Sequence, residues 1–250
     1  MNESQIMQLK QYIEEAHITT FYGGAGVSTE SGIPDYRSRE GTYTKMEAAN
    51  QDPKKIMNRR YIKNNPIEFF NRPEPERGKV EPNSAHKMLA ALEKSGHDIR
   101  VITQNVDGLH QKAGHRWVLE LHGSGRTWYC MDCERVYLPH ELQRDKDNVP
   151  RCYVDNGIVR PGVVFFGENV QPENLTKTKE TIQKSDLLII AGTSLTVFPA
   201  NQLIYEFKGR RVVMINKEKL PIQQLNVDLY IEAPVGETFA ALNAHYNFNL

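Results

Sequence analysis

Gly24-Ala25-Gly26-Val27-Ser28-Thr29-Glu30-Ser31-Gly32-Ile33-Pro34-Asp35-Tyr36-Arg37-Ser38 follows a short apolar run at residues 18–22. That run reads as a buried strand. A strand ending in Gly-x-Gly is how a doubly wound sheet receives a dinucleotide. Small residues admit a pyrophosphate to the backbone, and a helix N-terminus adds N–H groups and a favourable dipole. The third glycine of the usual fingerprint is missing: Thr29 holds its position and the next glycine is Gly32. The glycines alone are therefore a weak signal. Ser31 to Arg37 adds an acid, an aromatic ring and a base in succession, which a simple cofactor clamp does not need. A site that holds a dinucleotide and expels part of it has a use for that cluster.

Outward from this stretch the chain alternates strands and helices. Buried strands are expected at residues 99–103, 163–166, 187–191, 212–215 and 229–231. Their apolar runs lack strict alternation, as expected where helices cover both faces of a parallel sheet. Ile6, Leu9, Ile13 and Ala16 stand at helical spacing near the start, and further helices are expected at 84–95, 171–184, 199–208 and 237–245. The rhythm predicts an α/β fold with a six-stranded Rossmann-like parallel sheet. Residues 38–83 break it, being polar with Pro53, Pro66, Pro73, Pro75 and Pro82 against any long helix. Residues 124–160, which hold all three cysteines, break it as well. The expected division is a dinucleotide-binding body of residues 1–37, 84–123 and 161–250. The stretches 38–83 and 124–160 would pack together as a smaller inserted domain.

The 250 residues are enough for a full core. Lysine plus arginine and aspartate plus glutamate each number 31, so no long-range field favours nucleic acid or an anionic membrane. Asn58-Arg59-Arg60 is a local basic spot that reads as a solvated face. No apolar run approaches membrane-spanning length, and the first ten residues lack the form of a signal peptide. The expectation is a cytoplasmic protein without membrane or nucleic-acid partners. An odd cysteine count makes a poor disulfide framework.

Four groups of residues carry chemistry. Thr103-Gln104-Asn105-Val106-Asp107-Gly108-Leu109-His110 begins where a strand ends, which is where open α/β sheets bind ligands. Gln104, Asn105 and Asp107 suit ribose hydroxyls or a carboxamide, although a polar turn capping the next helix would read the same way. His122 lies between Leu121 and Gly123, and imidazole is matched to proton transfer near neutral pH. Gly123 distinguishes it from His86, His97, His110 and His115 by leaving its approach uncrowded. Gly192-Thr193-Ser194 closes an apolar strand and offers hydroxyls and N–H groups to phosphate. Asn216 ends another strand, where a polar side chain suits the adenosine ribose, with Glu218 two residues on. Cys130-x-x-Cys133 and Cys152-x-x-Asp155 have the separation of a zinc ribbon whose fourth ligand is Asp155 or, alternatively, His140. A closed site of that kind is structural.

Together these motifs resemble the sirtuin family of NAD-dependent protein deacylases. The matched residues are Gly24 to Ser38, Thr103 to His110, Leu121-His122-Gly123, Phe165-Phe166-Gly167-Glu168, Gly192-Thr193-Ser194, Asn216 and Pro82 to His86. The resemblance implies that NAD is consumed as a co-substrate. Its phosphates would lie near Gly24, Ala25, Gly26, Ser28 and Thr29. Tyr36, Arg37, Gln104, Asn105, Val106 and Asp107 would surround the nicotinamide and its ribose. His122, Gly192, Thr193, Ser194, Asn216 and Val235 complete the implied contacts. An acyl-lysine protein or peptide would enter with its stem against Val163, Val164, Phe165 and Phe166. The amide oxygen attacks the ribose as nicotinamide leaves, His122 takes a proton from a ribose hydroxyl, and Asn105 and Asp107 act beside it. The products are lysine, nicotinamide and O-acyl-ADP-ribose. The chain departs from the pattern at Tyr36, usually phenylalanine, at Asp155, usually the fourth cysteine, and at Gly162, usually larger and polar. No tyrosine-plus-arginine pair for acidic acyl groups is evident, which favours acetyl or other uncharged acyl groups. The same site admits mono-ADP-ribosyl transfer to a protein, and a non-catalytic NAD or ADP-ribose sensor is the reading from another class.

Overall fold

Phe21 and Tyr22 are consecutive in one strand, β1 (Ile18–Gly23), and both are fully buried. Successive side chains leave a strand on opposite faces, so both faces of this sheet are covered. The computed structural model describes residues 1–72, 79–220, 222 and 224–250. Among them the further strands are β2 (Asp98–Thr103), β3 (Val118–Glu120), β4 (Gly123–Cys130), β5 (Val136–Tyr137), β6 (Gln143–Arg144), β7 (Pro150–Arg151), β8 (Val159–Val163), β9 (Leu187–Ala191), β10 (Arg211–Asn216) and β11 (Leu229–Glu232). The helices are α1 (Glu3–Glu15), α2 (Thr42–Ala48), α3 (Pro53–Ile56), α4 (Arg59–Asn64), α5 (Pro66–Phe70), α6 (Ser84–Lys94), α7 (Leu109–Lys112), α8 (Pro172–Gln183), α9 (Ala200–Leu203) and α10 (Val235–Asn243).

Six strands form one parallel sheet in the order β11-β10-β9-β1-β2-β3. On one face Phe21, Ile189 and Val213 pack with Leu9 and Ile13 of α1, Leu89 of α6 and Phe239 of α10. On the other, Tyr22, Leu188 and Met214 pack with Ile182 of α8 and Leu203 of α9. Each such side chain contributes about 1.5–3 kcal/mol by burial. The register brings Gly23 level with Thr103 on one side and Ala191 on the other. The carboxyl ends of β1, β2 and β9 therefore share one edge, at the point where the strand order reverses.

The sixth strand is not the expected one. Residues 163–166 do not join the parallel sheet: β8 ends at Val163 and pairs antiparallel with β4. The place is taken by β3, three residues of which only Leu119 is buried, too short to show a period. The turn after β1 differs as well. Two 3₁₀ turns, Ala25–Val27 and Thr29–Ser31, stand where a dinucleotide fingerprint ordinarily opens an α-helix, and Gly32 ends the second at φ +86°. The third fingerprint glycine serves close helix–strand packing, which is not required here.

Residues 38–72 fold into the short helices α2 to α5. No long helix forms there, as the prolines require, and Pro53 and Pro66 open α3 and α5, since the first turn of a helix needs no N–H at that position. Pro73 and Pro75 lie outside the described residues. This helical stretch meets the cysteine-bearing stretch through Ile62, Phe69 and Met131, with Phe165 among them. Asn71 Nδ2 donates to Asp147 O at 2.9 Å, and Arg59 Nη2 donates to Met131 O at 3.3 Å. No helix of the described residues is long and apolar enough to cross a membrane.

Candidate active site

The loops after β1, β2 and β9 are locked to one another before any ligand is considered. Gly24 N donates to Ala191 O at 3.0 Å, Gly26 N to Gly192 O at 2.8 Å, and Gln104 N to Gly23 O at 2.9 Å. A Cβ on Gly26 would stand 2.8 Å from Gly192 Cα, and Gly192 itself has φ +57°. These glycines are thus required by the approach of one loop to the other. The amides of Gly24, Gly26, Val27 and Ser28 are all spent inside the fold.

Ser28 Oγ donates to Asp107 Oδ2 at 2.7 Å, and Asn105 Nδ2 donates to Ser28 Oγ at 3.0 Å. The other Asp107 oxygen accepts from Leu109 N at 2.9 Å. Asp107 therefore holds the first amide of α7, as a polar turn would, and also ties the β2 loop to the β1 loop. Gln104 Nε2 donates to Thr193 Oγ1 at 3.2 Å, which joins the β9 loop to the same group. Hydroxyls, amides and one carboxylate converge here, the donor set that suits a carboxamide and ribose hydroxyls.

His122 sits beside this network. Its Nδ1 is 3.1 Å from Gln104 O. A carbonyl only accepts, so Nδ1 carries the proton and Nε2 keeps its lone pair. Burial pushes the His122 pKa below its ordinary value, opposed by the bond to Gln104, so the ring is neutral at pH 7. Gly123 has φ +80°, and a Cβ there would collide with Gly162 O. The glycine beside His122 thus serves the turn and the β4–β8 crossing.

Tyr36 and Tyr43 rings lie 4.7 Å apart, and Tyr43 lies 5.6 Å from Phe166. Arg37 stands 5.8 Å over the Tyr43 ring. The loop that presents them is closed by Thr42 N donating to Asp35 O and Tyr43 N donating to Tyr36 O, both at 2.8 Å. Tyr43 lies in a polar stretch with no pattern to mark it. Val106 O accepts from Gly125 N at 3.0 Å. Thr29 Oγ1 bonds back to Gly26 O at 3.1 Å, and Ser194 Oγ bonds to Thr196 Oγ1 at 2.9 Å.

Val163, Val164, Phe165 and Phe166 do not share one wall. Phe165 is buried among Ile62, Phe69 and Met131, and Val163 packs on the same group. Val164 packs instead on the apolar cluster that includes Leu119 and Leu121, as alternation along an extended chain dictates. The segment runs past the imidazole, with Val164 N donating to His122 O and Phe166 N donating to Met57 O at 2.8 and 2.9 Å. Asn216 ends β10 with its amide on Glu218 O at 2.9 Å, and Val235 opens α10. Glu30, which sequence reasoning passed over, accepts from Gly236 N and Glu237 N at the start of that helix, at 2.5 and 3.0 Å.

Cys130, Cys133, Cys152 and Asp155 hold their ligand atoms within 4.8 Å of one another. Cys133 Sγ and Cys152 Sγ are 3.6 Å apart, and Cys130 Sγ is 3.4 Å from Asp155 Oδ1. A tetrahedral zinc site requires roughly 3.7 Å between sulfurs and roughly 3.5 Å between sulfur and oxygen, given its usual bond lengths. The four residues fit zinc. His140 is not among them. Asp155 is oriented by Gly157 N at 2.9 Å, and Tyr137 Oη donates to Cys152 Sγ at 3.0 Å.

The Sir2 family model matches residues 24–199. An NAD-dependent protein deacetylase of Cutibacterium acnes is 42% identical over 237 residues, 94% of this chain and 96% of the relative. One of Clostridium tetani is 41% identical over 215 residues, 85% of this chain and 87% of the relative. A solved structure described as the structural basis for the mechanism and regulation of Sir2 enzymes shares 33% identity at TM-score 0.86, covering 98% of this chain and 99% of that one. A complex of Sir2 with p53 peptide and NAD+ shares 30% identity at TM-score 0.82, covering 97% and 98%. The loops locked around Gln104, the imidazole beside them and this likeness along nearly the whole length agree: the chain belongs to the Sir2 family.

Proposed function

We propose that the chain is an NAD-dependent protein deacetylase that frees lysine from an acyl-lysine protein or peptide. The observation that carries this reading is His122, neutral, with Nε2 unprotonated, set beside the Ser28–Asn105–Asp107 network. NAD supplies an electrophilic ribose carbon with nicotinamide as its leaving group. Gln104, Asn105 and Asp107 hold the nicotinamide end, with Ser28 and Thr193 fixing those side chains. Gly24, Ala25, Gly26, Thr29, Gly192 and Ser194 face the phosphates, and Asn216 and Val235 the adenosine. Tyr36, Arg37 and Val106 close over the ribose. His122 Nε2 takes the proton of a ribose hydroxyl. Val163, Val164 and Phe166 receive the substrate, with Phe165 as their anchor in the core. The division proposed is a NAD-binding body of residues 1–37, 84–123 and 161–250 with 38–83 and 124–160 beside it. Cys130, Cys133, Cys152 and Asp155 would hold a structural zinc ion.

The test is a reaction with NAD and an acetyl-lysine peptide, followed by peptide mass. The expected result is loss of the acetyl group. A peptide that gains ADP-ribose, or one that is unchanged, overturns the reading.

A further inference from the structure

Arg160 is 1% exposed, an unusual burial for a guanidinium. Its Nη2 donates to Glu168 Oε1 at 2.5 Å and its Nη1 donates to Val163 O at 2.8 Å. The group also lies 4.3 Å over the Tyr129 ring and 5.1 Å over Phe165. Glu168 uses its second oxygen to accept from Phe165 N at 3.0 Å, and Phe165 O accepts from Glu168 N at 3.0 Å. Arg59 Nε stands 3.9 Å from the same carboxylate. One ion pair therefore grips the segment 163–166 at two points, the carbonyl of Val163 through the cation and the amide of Phe165 through the anion. Between those two grips, Val164 N reaches His122 O at 2.8 Å.

A buried ion pair is a poor device for stability alone, since apolar residues of similar shape often serve as well or better. What apolar residues cannot do is direct peptide groups. We infer that Arg160 and Glu168 are positioning residues, which hold the backbone of 163–166 at the spacing from His122 that an acyl-lysine strand requires. The inference rests on the reading that this segment receives the substrate.

Two variants separate the roles. Glu168→Gln keeps an acceptor for Phe165 N but removes the partner charge of Arg160. The double variant Arg160→Met with Glu168→Leu fills the same volume without charge. For each, the dissociation constant of a fluorescent acetyl-lysine peptide is measured, together with KM for peptide, KM for NAD and the thermal midpoint. A lost charge-assisted clasp is expected to weaken peptide binding and raise peptide KM by about tenfold, with KM for NAD within about twofold. The double variant is expected to regain the wild-type midpoint without regaining peptide affinity. Peptide affinity in the double variant within twofold of wild type overturns the inference, as does an equal rise in both KM values. Wild type that binds the peptide yet frees no lysine overturns the deacetylase reading alone, because the binding constants still judge the clasp. Wild type that does not bind it overturns both.

Discussion

His122 donates Nδ1–H to Gln104 O, and this one bond decides which nitrogen is basic. The Gln104 carbonyl belongs to the loop that also carries Asn105 and Asp107, so one short segment fixes the imidazole and the groups proposed to hold the nicotinamide end. His122→Ala removes the proton acceptor, and a positioned base contributes about 10²–10⁴-fold in rate. Turnover is expected to fall by that factor while the thermal midpoint changes little. Because burial lowers the His122 pKa below 6.5, the neutral, basic form predominates at pH 7. The rate should stay flat near neutrality and fall only when pH drops through that depressed value. A limb centred above 6.5 would contradict the assignment. In sequence His122 was singled out by the small residue beside it. Gly123 meets a positive φ and the close carbonyl of Gly162, a contact between distant residues that no local pattern encodes. Glu30 and Arg160 went unassigned for the same reason: each acts across the fold, on α10 and on the segment 163–166.

At the scale of elements, β4, β5 and β8 carry few buried side chains. Their cluster is small, with Cys130, Tyr137, Cys152 and Val159 at its centre. So small a core is expected to depend on the metal that its ligands fit. Zinc should be found at one ion per chain, and a chelator should lower the midpoint. Tyr137→Phe removes the hydroxyl that donates to Cys152 and should weaken metal binding about 10–100-fold. Asp155→Asn should weaken it further, while Asp155→Cys retains the metal. Zinc affinity unchanged in Asp155→Asn would remove Asp155 from the ligand set. The cysteine spacing announced this module because metal ligands are few in kind and regular in interval. The sixth sheet strand was not announced. The apolar run 163–166 looks like a strand because it is extended and half-buried, yet its partners are β4, His122 and Met57. The polar stretch with its prolines gave no sign that Tyr43 would stack between Tyr36 and Phe166.

Across the whole molecule, the parallel sheet and its two apolar faces were readable from the unbroken runs at β1, β9 and β10. What lies behind the active site was not. His86, His110 and His115 are all buried, and the His86 and His110 rings lie 4.6 Å apart. Burial lowers all three pKa values, that of His86 to about 4 against the nearby Asp107, which raises it. A histidine with a depressed folded pKa binds fewer protons folded than unfolded, so stability rises with pH through that window. It is complete above 6.5 and is lost as pH falls toward 4, with a slope of up to about 1.4 kcal/mol per pH unit for each proton. The thermal midpoint should therefore drop steeply between pH 6.5 and 4, and His110→Phe should flatten that drop. An equally steep profile in His110→Phe would assign the effect elsewhere.

The central claim is that the ribose carbon of NAD and the acyl-lysine amide meet beside His122, so neither is consumed without the other. Nicotinamide released and lysine freed, counted in the same reaction, test it most directly. The expected result is one for one, with neither product formed when NAD or the acetyl-lysine peptide is left out. Lysine freed without NAD, or nicotinamide released at the same rate without peptide, would contradict it.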